Sequence, residues 1–201
     1  MANAFFYIQP FLIVVSTIVI CILPGWALTL RFDLDPNDRP IIIILTGFAL
    51  MYLFEFWVYL LSLPSWLPFS ILLIGSLLYL LNYSHKKPML PLKSSFPWVE
   101  VIVWLILSLW LLAIQFKIVV YGAQLGWAVD WREHYERSLF FLEQLPPETT
   151  FIDGMWQLSA RAPLFNSIAG LLMGGLGKDF WVYQIIASVL NAFPVICLAL
   201  L

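Results

Sequence analysis

The sequence predicts an all-α integral membrane protein with about six transmembrane helices and an interfacial amphipathic helix in one polar loop. Of its 201 residues, 62% are hydrophobic and 11% are charged, and the mean hydropathy is +0.92. Soluble domains carry about 25% charged residues, and a short chain leaves much of its surface in contact with solvent. Lipid is therefore expected around most side chains, and no Lys/Arg cluster indicates a nucleic-acid partner.

Six apolar segments approach the length of about 20 residues that crosses a bilayer. Residues 1–121 hold four of them, and residues 164–201 hold two on the far side of a polar loop, 122–163. Their bounds are 2–30, 41–63, 66–82, 98–121, 164–177 and 181–201. The chain stops inside the sixth, which is typical of a fragment of a longer protein.

Two of these segments have unusual features. The second contains an acid, Glu55. Acids inside lipid are costly, so it is expected to be functional, to lie near the outer interface or to pair within the bundle. The fifth is short and contains Gly170-x-x-x-Gly174. That spacing lets helices approach closely, and we expect the segment to pack tightly against its neighbours.

Lysines predict the orientation, because short cytoplasmic loops are enriched in Lys and Arg. Residues 83–98 hold Lys86, Lys87 and Lys93 and no acid, so this loop is expected in the cytoplasm. Alternation then places residues 31–40 and the turn 178–179 inside. It places residues 64–68 and 122–163 outside, on the extracytoplasmic face of a bacterial plasma membrane.

The polar loop is predicted to begin with an amphipathic helix that ends at Pro146-Pro147. One face is apolar, at the spacing i, i+4, i+8 and i+11: Trp131, Tyr135, Leu139 and Leu142. The opposite face is polar: Asp130, Glu133, His134 and Arg137. Such a helix is expected to lie along the outer surface of the membrane.

Asp130 is the principal candidate for chemistry, since it follows an apolar stretch of sequence and lies where the fourth segment leaves the lipid. A partly desolvated carboxylate there suits catalysis or the binding of a divalent cation. Asp130 and Glu133 also have capping-box spacing, which favours a role for Asp130 as the N-cap of the helix. The two roles are compatible.

Three arginines of the loop, Arg132, Arg137 and Arg161, are candidates for binding phosphate, because guanidinium groups match phosphate oxygens. For the first two, pairing with Glu133, Glu136 or solvent is the alternative that we favour.

The remaining ligand candidates are His134, Glu133 and Asp153. His134 lies one helical turn after Asp130, so both side chains can reach one ligand, although a solvated interfacial histidine is the simpler interpretation. Asp153 lies in a Phe-Ile-Asp-Gly sequence that favours a turn. A divalent cation is left open as cofactor.

On these residues the chain resembles the polytopic glycosyltransferases of the C superfamily, the group that includes protein O-mannosyltransferases and aminoarabinose transferases. The resemblance covers about residues 118–201. Asp130 matches the acid of the family's outer loop, residues 131–145 its interfacial helix, and residues 161–164 its basic-Pro-Pro-Leu motif; residues 176–180 resemble the turn that follows. Ala160 departs from an acid and Ala162 from a proline.

The resemblance implies transfer of a sugar, with inversion, from a polyprenyl-phosphate donor to an acceptor on the extracytoplasmic face. Asp130 is then the general base or a metal ligand, and Arg161 neutralises the leaving phosphate. The other hypothesis is a non-enzymatic membrane protein, a transporter fragment or an assembly subunit. An enzyme requires Asp130 to face a cavity, whereas a structural loop turns it toward backbone amides or bulk water.

Overall fold

The computed structural model describes residues 4–86, 96–118, 128–157 and 163–199, and these residues are mostly helical. Seven helices follow one another: α1 Ala4–Thr29, α2 Arg39–Leu60, α3 Trp66–Lys86, α4 Trp98–Ile118, α5 Ala128–Leu142, α6 Leu164–Leu176 and α7 Phe180–Ala199. Between α5 and α6 lies a two-stranded antiparallel hairpin, β1 Thr150–Phe151 and β2 Trp156–Gln157. The predicted helical fold is confirmed, and the hairpin is an element that the sequence did not indicate.

Among the described residues, three helices are long and apolar enough to cross a membrane: Ile8–Thr29, Arg39–Leu60 and Trp66–Tyr83. The apolar parts of α4, α6 and α7 are shorter: Trp98–Ile114, Leu164–Leu176 and Phe180–Val195. Large apolar side chains are exposed along α3 and α4, for example Leu78 and Trp110. Contiguous apolar surface of this kind is typical of contact with lipid, which supports a membrane protein.

Helices α1 and α2 run antiparallel and make a very close contact through two glycines. The backbone of Gly25 lies against the carbonyl oxygen of Ile43, and that of Gly47 lies against the carbonyl oxygen of Cys21. A Cβ atom at either glycine would collide with the opposite backbone. The absence of side chains at these positions therefore sets the distance between the two helices.

The bundle formed by the long helices has two ends. At one, the guanidinium Nε of Arg31 donates a hydrogen bond to Tyr79 Oη of α3 at 2.8 Å, and Phe96, just before α4, contacts Trp26 of α1. We call this the Arg31 end. The opposite end holds the turn between α2 and α3, and we call it the Ser65 end.

Helix α6 lies beside α5 and runs in the same direction. A Cβ atom at Gly170 would lie 2.8 Å from the Ser138 carbonyl oxygen, and one at Gly174 would lie 3.0 Å from that of Ser65 and 3.3 Å from a methyl carbon of Leu142. The close packing predicted from the Gly170–Gly174 spacing is confirmed. Both helices finish at the Ser65 end.

The turn after α6 is also at the Ser65 end, which corrects an expectation. Tyr135 Oη donates to the Lys178 carbonyl oxygen at 2.8 Å, and Lys178 Nζ lies 3.5 Å from Glu143 Oε1. The sequence placed this turn opposite residues 64–68, which is wrong because alternation assumes that every apolar segment crosses. The 13 residues of α6 extend only about 20 Å, so the count of about six crossings is not confirmed.

Helix α7 then runs from the Ser65 end toward the Arg31 end. Its Phe193 ring stacks on Phe48 of α2 at 4.5 Å between centroids. The carbonyl oxygen of Val189 accepts a hydrogen bond from the indole of Trp104 at 2.7 Å. These contacts join α7 to α2 and α4 and complete the apolar core.

Glu55 of α2 is buried in this core, with 1% of its surface exposed. Its Oε2 has no hydrogen-bond partner within the part of the chain that the structure describes. The pairing within the bundle that the sequence suggested is therefore not seen for this oxygen.

Candidate functional site

Helix α5 carries most of the residues that the sequence singled out, and it forms where the periodicity predicted it. The apolar stripe is partly buried and packs on the bundle core: Trp131, Tyr135, Leu139 and Leu142. The rings of Trp131 and Tyr135 lie 6.2 Å and 5.5 Å from that of Tyr183 on α7. These contacts hold the first half of α5 over the start of α7.

The predicted polar face of α5 is divided between two environments. Glu133 and Arg137 are buried beneath the β-hairpin, with 2% and 0% of their side chains exposed, and Arg137 Nε donates to Glu133 Oε1 at 2.8 Å. Asp130 and His134 instead line a cavity. The hairpin therefore covers half of the polar face.

Arg137 joins α5 to both strands of the hairpin. Its Nη2 donates to the Gln157 carbonyl oxygen at 2.9 Å, and its guanidinium lies 4.8 Å from the centroid of the Phe151 ring. A buried charge is tolerable only when it is paired and hydrogen-bonded. The pairing with Glu133 that we favoured over a phosphate role is present.

Arg132 and Asp153 lie at the exposed edge of the same hairpin. Arg132 Nε donates to Glu136 Oε1 at 2.7 Å, and Arg132 Nη2 lies 3.9 Å from Asp153 Oδ1. The hydrogen bond and charge of Glu136, with the charge of Asp153, raise the pKa of Arg132 above its usual value. Neither side chain is among those that line the cavity.

The turn predicted at Phe-Ile-Asp-Gly is the turn of the hairpin. Ile152, Asp153 and Gly154 have φ angles of 50°, 53° and 92°, and a β-branched residue seldom adopts such an angle. The carboxylate of Glu136 accepts the backbone N–H of Ile152 at 2.9 Å, which stabilises this conformation. Asp153 itself is 82% exposed at the tip.

A cavity of about 280 Å³ lies between the first half of α5, the start of α6 and the first two thirds of α7. Its polar lining is Asp130, His134 and Asn191, and the rest is Trp131, Phe165, Tyr183 and Ala187. Ligand pockets of about 300–1,000 Å³ usually combine apolar walls with a few polar groups. This cavity has that chemistry at the lower limit of size.

Asp130 is the third residue of α5, which begins at Ala128. The expectation that it is the N-cap is therefore wrong, and the partner expected in the capping box, Glu133, pairs with Arg137. Asp130 is exposed and faces the cavity. Its charge lies in the first helical turn, where the helix dipole stabilises an anion.

His134 is held by a residue that the sequence analysis did not consider. Its Nδ1 lies 3.1 Å from Oδ1 of Asn166 on α6, which is 1% exposed. The ring of Phe165 meets the imidazole at 70° with 6.0 Å between centroids. An asparagine inside an otherwise apolar segment was the available signal, since buried amides need partners.

Arg161, the third phosphate candidate, lies outside the described residues, together with Ala160 and Ala162. Pro163 and Leu164, the last residues of the motif that the resemblance rests on, lead directly into α6. The next residue, Phe165, is part of the cavity wall.

Within residues 4–86, 96–118, 128–157 and 163–199, no group of three His, Cys, Asp or Glu side chains could hold a metal ion. Asp130 and His134 supply two donors on the cavity wall, whereas catalytic zinc sites use three protein ligands. A divalent cation stays a prediction.

Comparison with protein-family models, curated proteins and solved structures finds no match to this chain.

Proposed function

We propose that this protein transfers a sugar from a polyprenyl-phosphate donor to an acceptor hydroxyl, with Asp130 as the general base. The observation that carries the proposal is the position of Asp130, which lines a cavity together with His134. A loop that merely capped the bundle would have no reason to direct this carboxylate into a cavity between three helices. The resemblance to polyprenyl-phosphate-sugar transferases supplies the reaction.

In the proposed transfer, one bond to the sugar forms, one breaks and one proton moves. The acceptor oxygen bonds to the anomeric carbon of the sugar, and the bond from that carbon to the phosphate oxygen breaks. The proton of the acceptor hydroxyl passes to the carboxylate of Asp130, and the phosphate leaves with its lipid. General bases of this kind contribute about 10²–10⁴ to rate.

The lining of the cavity suits a sugar. Trp131, Phe165 and Tyr183 offer flat apolar walls, and His134 and Asn191 offer polar groups for hydroxyls. A volume of about 280 Å³ is adequate for one sugar ring. The apolar lipid chain then stays in the bilayer, where its burial supplies affinity without a protein pocket.

Of the three arginines considered, we assign the leaving phosphate to Arg161. Arg137 is committed to Glu133 and the hairpin, and Arg132 pairs with Glu136 on the outer edge. Arg161 precedes Pro163 by two residues in the sequence, next to the segment that enters the cavity wall.

We further propose that the Ser65 end is extracytoplasmic, in a bacterial plasma membrane. Helix α3 ends and α4 begins at the Arg31 end, and the sequence between them contains Lys87 and Lys93 without an acid. Lysines in short loops favour the cytoplasmic side. The turn between α2 and α3 and the ends of α5 and α6 then lie on the opposite side, where polyprenyl-linked sugars and outer acceptors meet.

The test uses the full chain in lipid vesicles with a panel of polyprenyl-phosphate sugars, and measures release of polyprenyl phosphate. Asp130→Asn is expected to reduce release by at least about 100-fold, the lower bound for loss of a general base. Asp153→Asn is the matched control, because that carboxylate lies at the hairpin tip, and it should retain activity.

Two results would contradict the proposal. Wild-type protein that releases no phosphate from any donor in the panel would favour the non-enzymatic interpretation. Equal activity of the Asp130→Asn and Asp153→Asn variants would remove Asp130 from the mechanism. Orientation is checked separately by labelling cysteines introduced at residues 64 and 91 from each side of the membrane.

A further inference from the structure

We propose that Asn166 is a positioning residue that keeps a proton on Nδ1 of His134. In the neutral ring, Nε2 is then the nitrogen that accepts hydrogen bonds, which suits it to a hydroxyl of the ligand rather than to a phosphate oxygen. The geometric part of this inference stands on α5 and α6 alone. Its consequence for the substrate rests on the proposed function.

The tautomer follows from the chemistry of the two atoms that meet. The contact joins His134 Nδ1 to the amide oxygen of Asn166 at 3.1 Å. An amide oxygen has lone pairs and no hydrogen, so it can only accept. With the amide in this orientation Nδ1 carries a proton, and in the neutral ring Nε2 then carries the lone pair.

The contact lies between two closely packed helices. On α6, the next residue, Ser167, donates its hydroxyl to the Leu164 carbonyl oxygen at 3.0 Å, and Asn166 is buried. On α5, the His134 carbonyl oxygen accepts the Ser138 hydroxyl at 2.8 Å. The close approach of the two helices at Gly170 brings the imidazole and the amide within hydrogen-bond distance.

The tautomer decides which part of a substrate His134 can recognise. Asp130, one turn earlier on the same wall, presents a carboxylate, which only accepts hydrogen bonds when ionised. With Nε2 also an acceptor, the two side chains together match a group that donates hydrogen bonds, as a hydroxyl does. A proton on Nε2 would instead make His134 a donor suited to phosphate oxygens.

The sequence makes a direct measurement practical, because it contains two histidines, His85 and His134. The full chain is labelled with ¹⁵N in the histidine rings and placed in lipid nanodiscs at pH 8 without any sugar donor. The nitrogen chemical shifts then report which ring nitrogen carries the proton. A His134→Gln variant assigns the two sets of signals.

We expect His134 in the wild-type protein to be protonated on Nδ1. Asn166→Leu removes the acceptor at similar side-chain size, and the signals of His134 should shift to a mixture of tautomers or to the Nε2–H form. Asn166→Asp keeps an oxygen acceptor and should restore the Nδ1–H form. Ser167→Ala, at the neighbouring buried position, is the matched control and should leave the tautomer unchanged.

Predominant protonation of Nε2 in the wild-type protein overturns the inference, as does an unchanged tautomer in a folded Asn166→Leu variant. If thermal unfolding shows that Asn166→Leu does not fold, the spectra of the wild-type protein and of Asn166→Asp still show which ring nitrogen of His134 carries the proton. None of these spectra depends on sugar transfer, so the inference and the proposed function fail separately. In the transfer assay, Asn166→Leu should reduce kcat at least about tenfold, and Asn166→Asp should recover it.

Discussion

Replacement of Arg137 by methionine tests the ion pair beneath the hairpin. Methionine approximates the length of the arginine side chain but carries no charge, so packing changes little. The variant removes the bond to Glu133 Oε1, the bond to the Gln157 carbonyl oxygen and the contact with the Phe151 ring. Glu133 stays buried without this counter-charge.

The expected cost follows from the burial of the pair. Both side chains are at most 2% exposed, so solvent cannot replace the lost interactions. Removal of one member of a buried pair costs about 3–5 kcal/mol. At about 2–4 °C per kcal/mol for a chain of this size, the unfolding temperature should fall by about 6–20 °C.

The assay is thermal unfolding of the full chain in detergent, followed by tryptophan fluorescence, with two matched variants. Arg132→Met breaks the exposed pair with Glu136, in which the side chains are 57% and 26% exposed. Such a pair contributes about 0–1 kcal/mol. The double variant Glu133→Gln with Arg137→Met removes both charges of the pair and should be more stable than Arg137→Met alone.

The reasoning is refuted if Arg137→Met unfolds within the range expected of Arg132→Met. It is equally refuted if the double variant is less stable than Arg137→Met. Either result would mean that the charges beneath the hairpin are solvated, contrary to their burial in the structure.

Two further predictions concern helix packing and the buried acid. Gly170→Ala should lower the free energy of unfolding by about 1–3 kcal/mol, because its methyl group would lie 2.8 Å from a backbone oxygen. A methyl group at Gly75 would have no atom within 4 Å, so Gly75→Ala should raise the free energy of unfolding by about 0.5–1 kcal/mol. Equal effects of the two substitutions would contradict the close packing at Gly170. Glu55→Met should raise the free energy of unfolding by about 1–3 kcal/mol, since it removes a buried oxygen without a hydrogen bond in the described residues. A loss of stability in Glu55→Met would disprove this explanation. The same thermal unfolding assay measures the glycine and Glu55 variants.

Much of the helical architecture could be read from local patterns. Long apolar runs predict α1, α2 and α3 because crossing a bilayer requires about 20 apolar residues in succession, and the structure has these helices. The stripe that begins at Trp131 predicts α5 because periodicity is a property of neighbouring residues. The turn at Asp153 follows from local backbone preferences in the same way.

The candidate site could be predicted only in part. Asp130 and His134 are four residues apart on one helix, so their shared position on the cavity wall follows from helical spacing. Asn166 is 32 residues away from His134, and no local pattern connects them. Arg137 was a candidate for phosphate because a sequence does not show that a hairpin will cover it.

Composition and periodicity establish which segments of this chain are helical and which favour lipid, because both properties depend on residues within a few turns of one another. The end of the bundle reached by α6, the burial of Arg137 and the partner of His134 depend on contacts between distant segments. The packing at Gly170 and Gly174 and the hairpin over α5 provide those contacts. Packing against α5, and not the hydropathy of α6, therefore sets the direction in which this short helix runs.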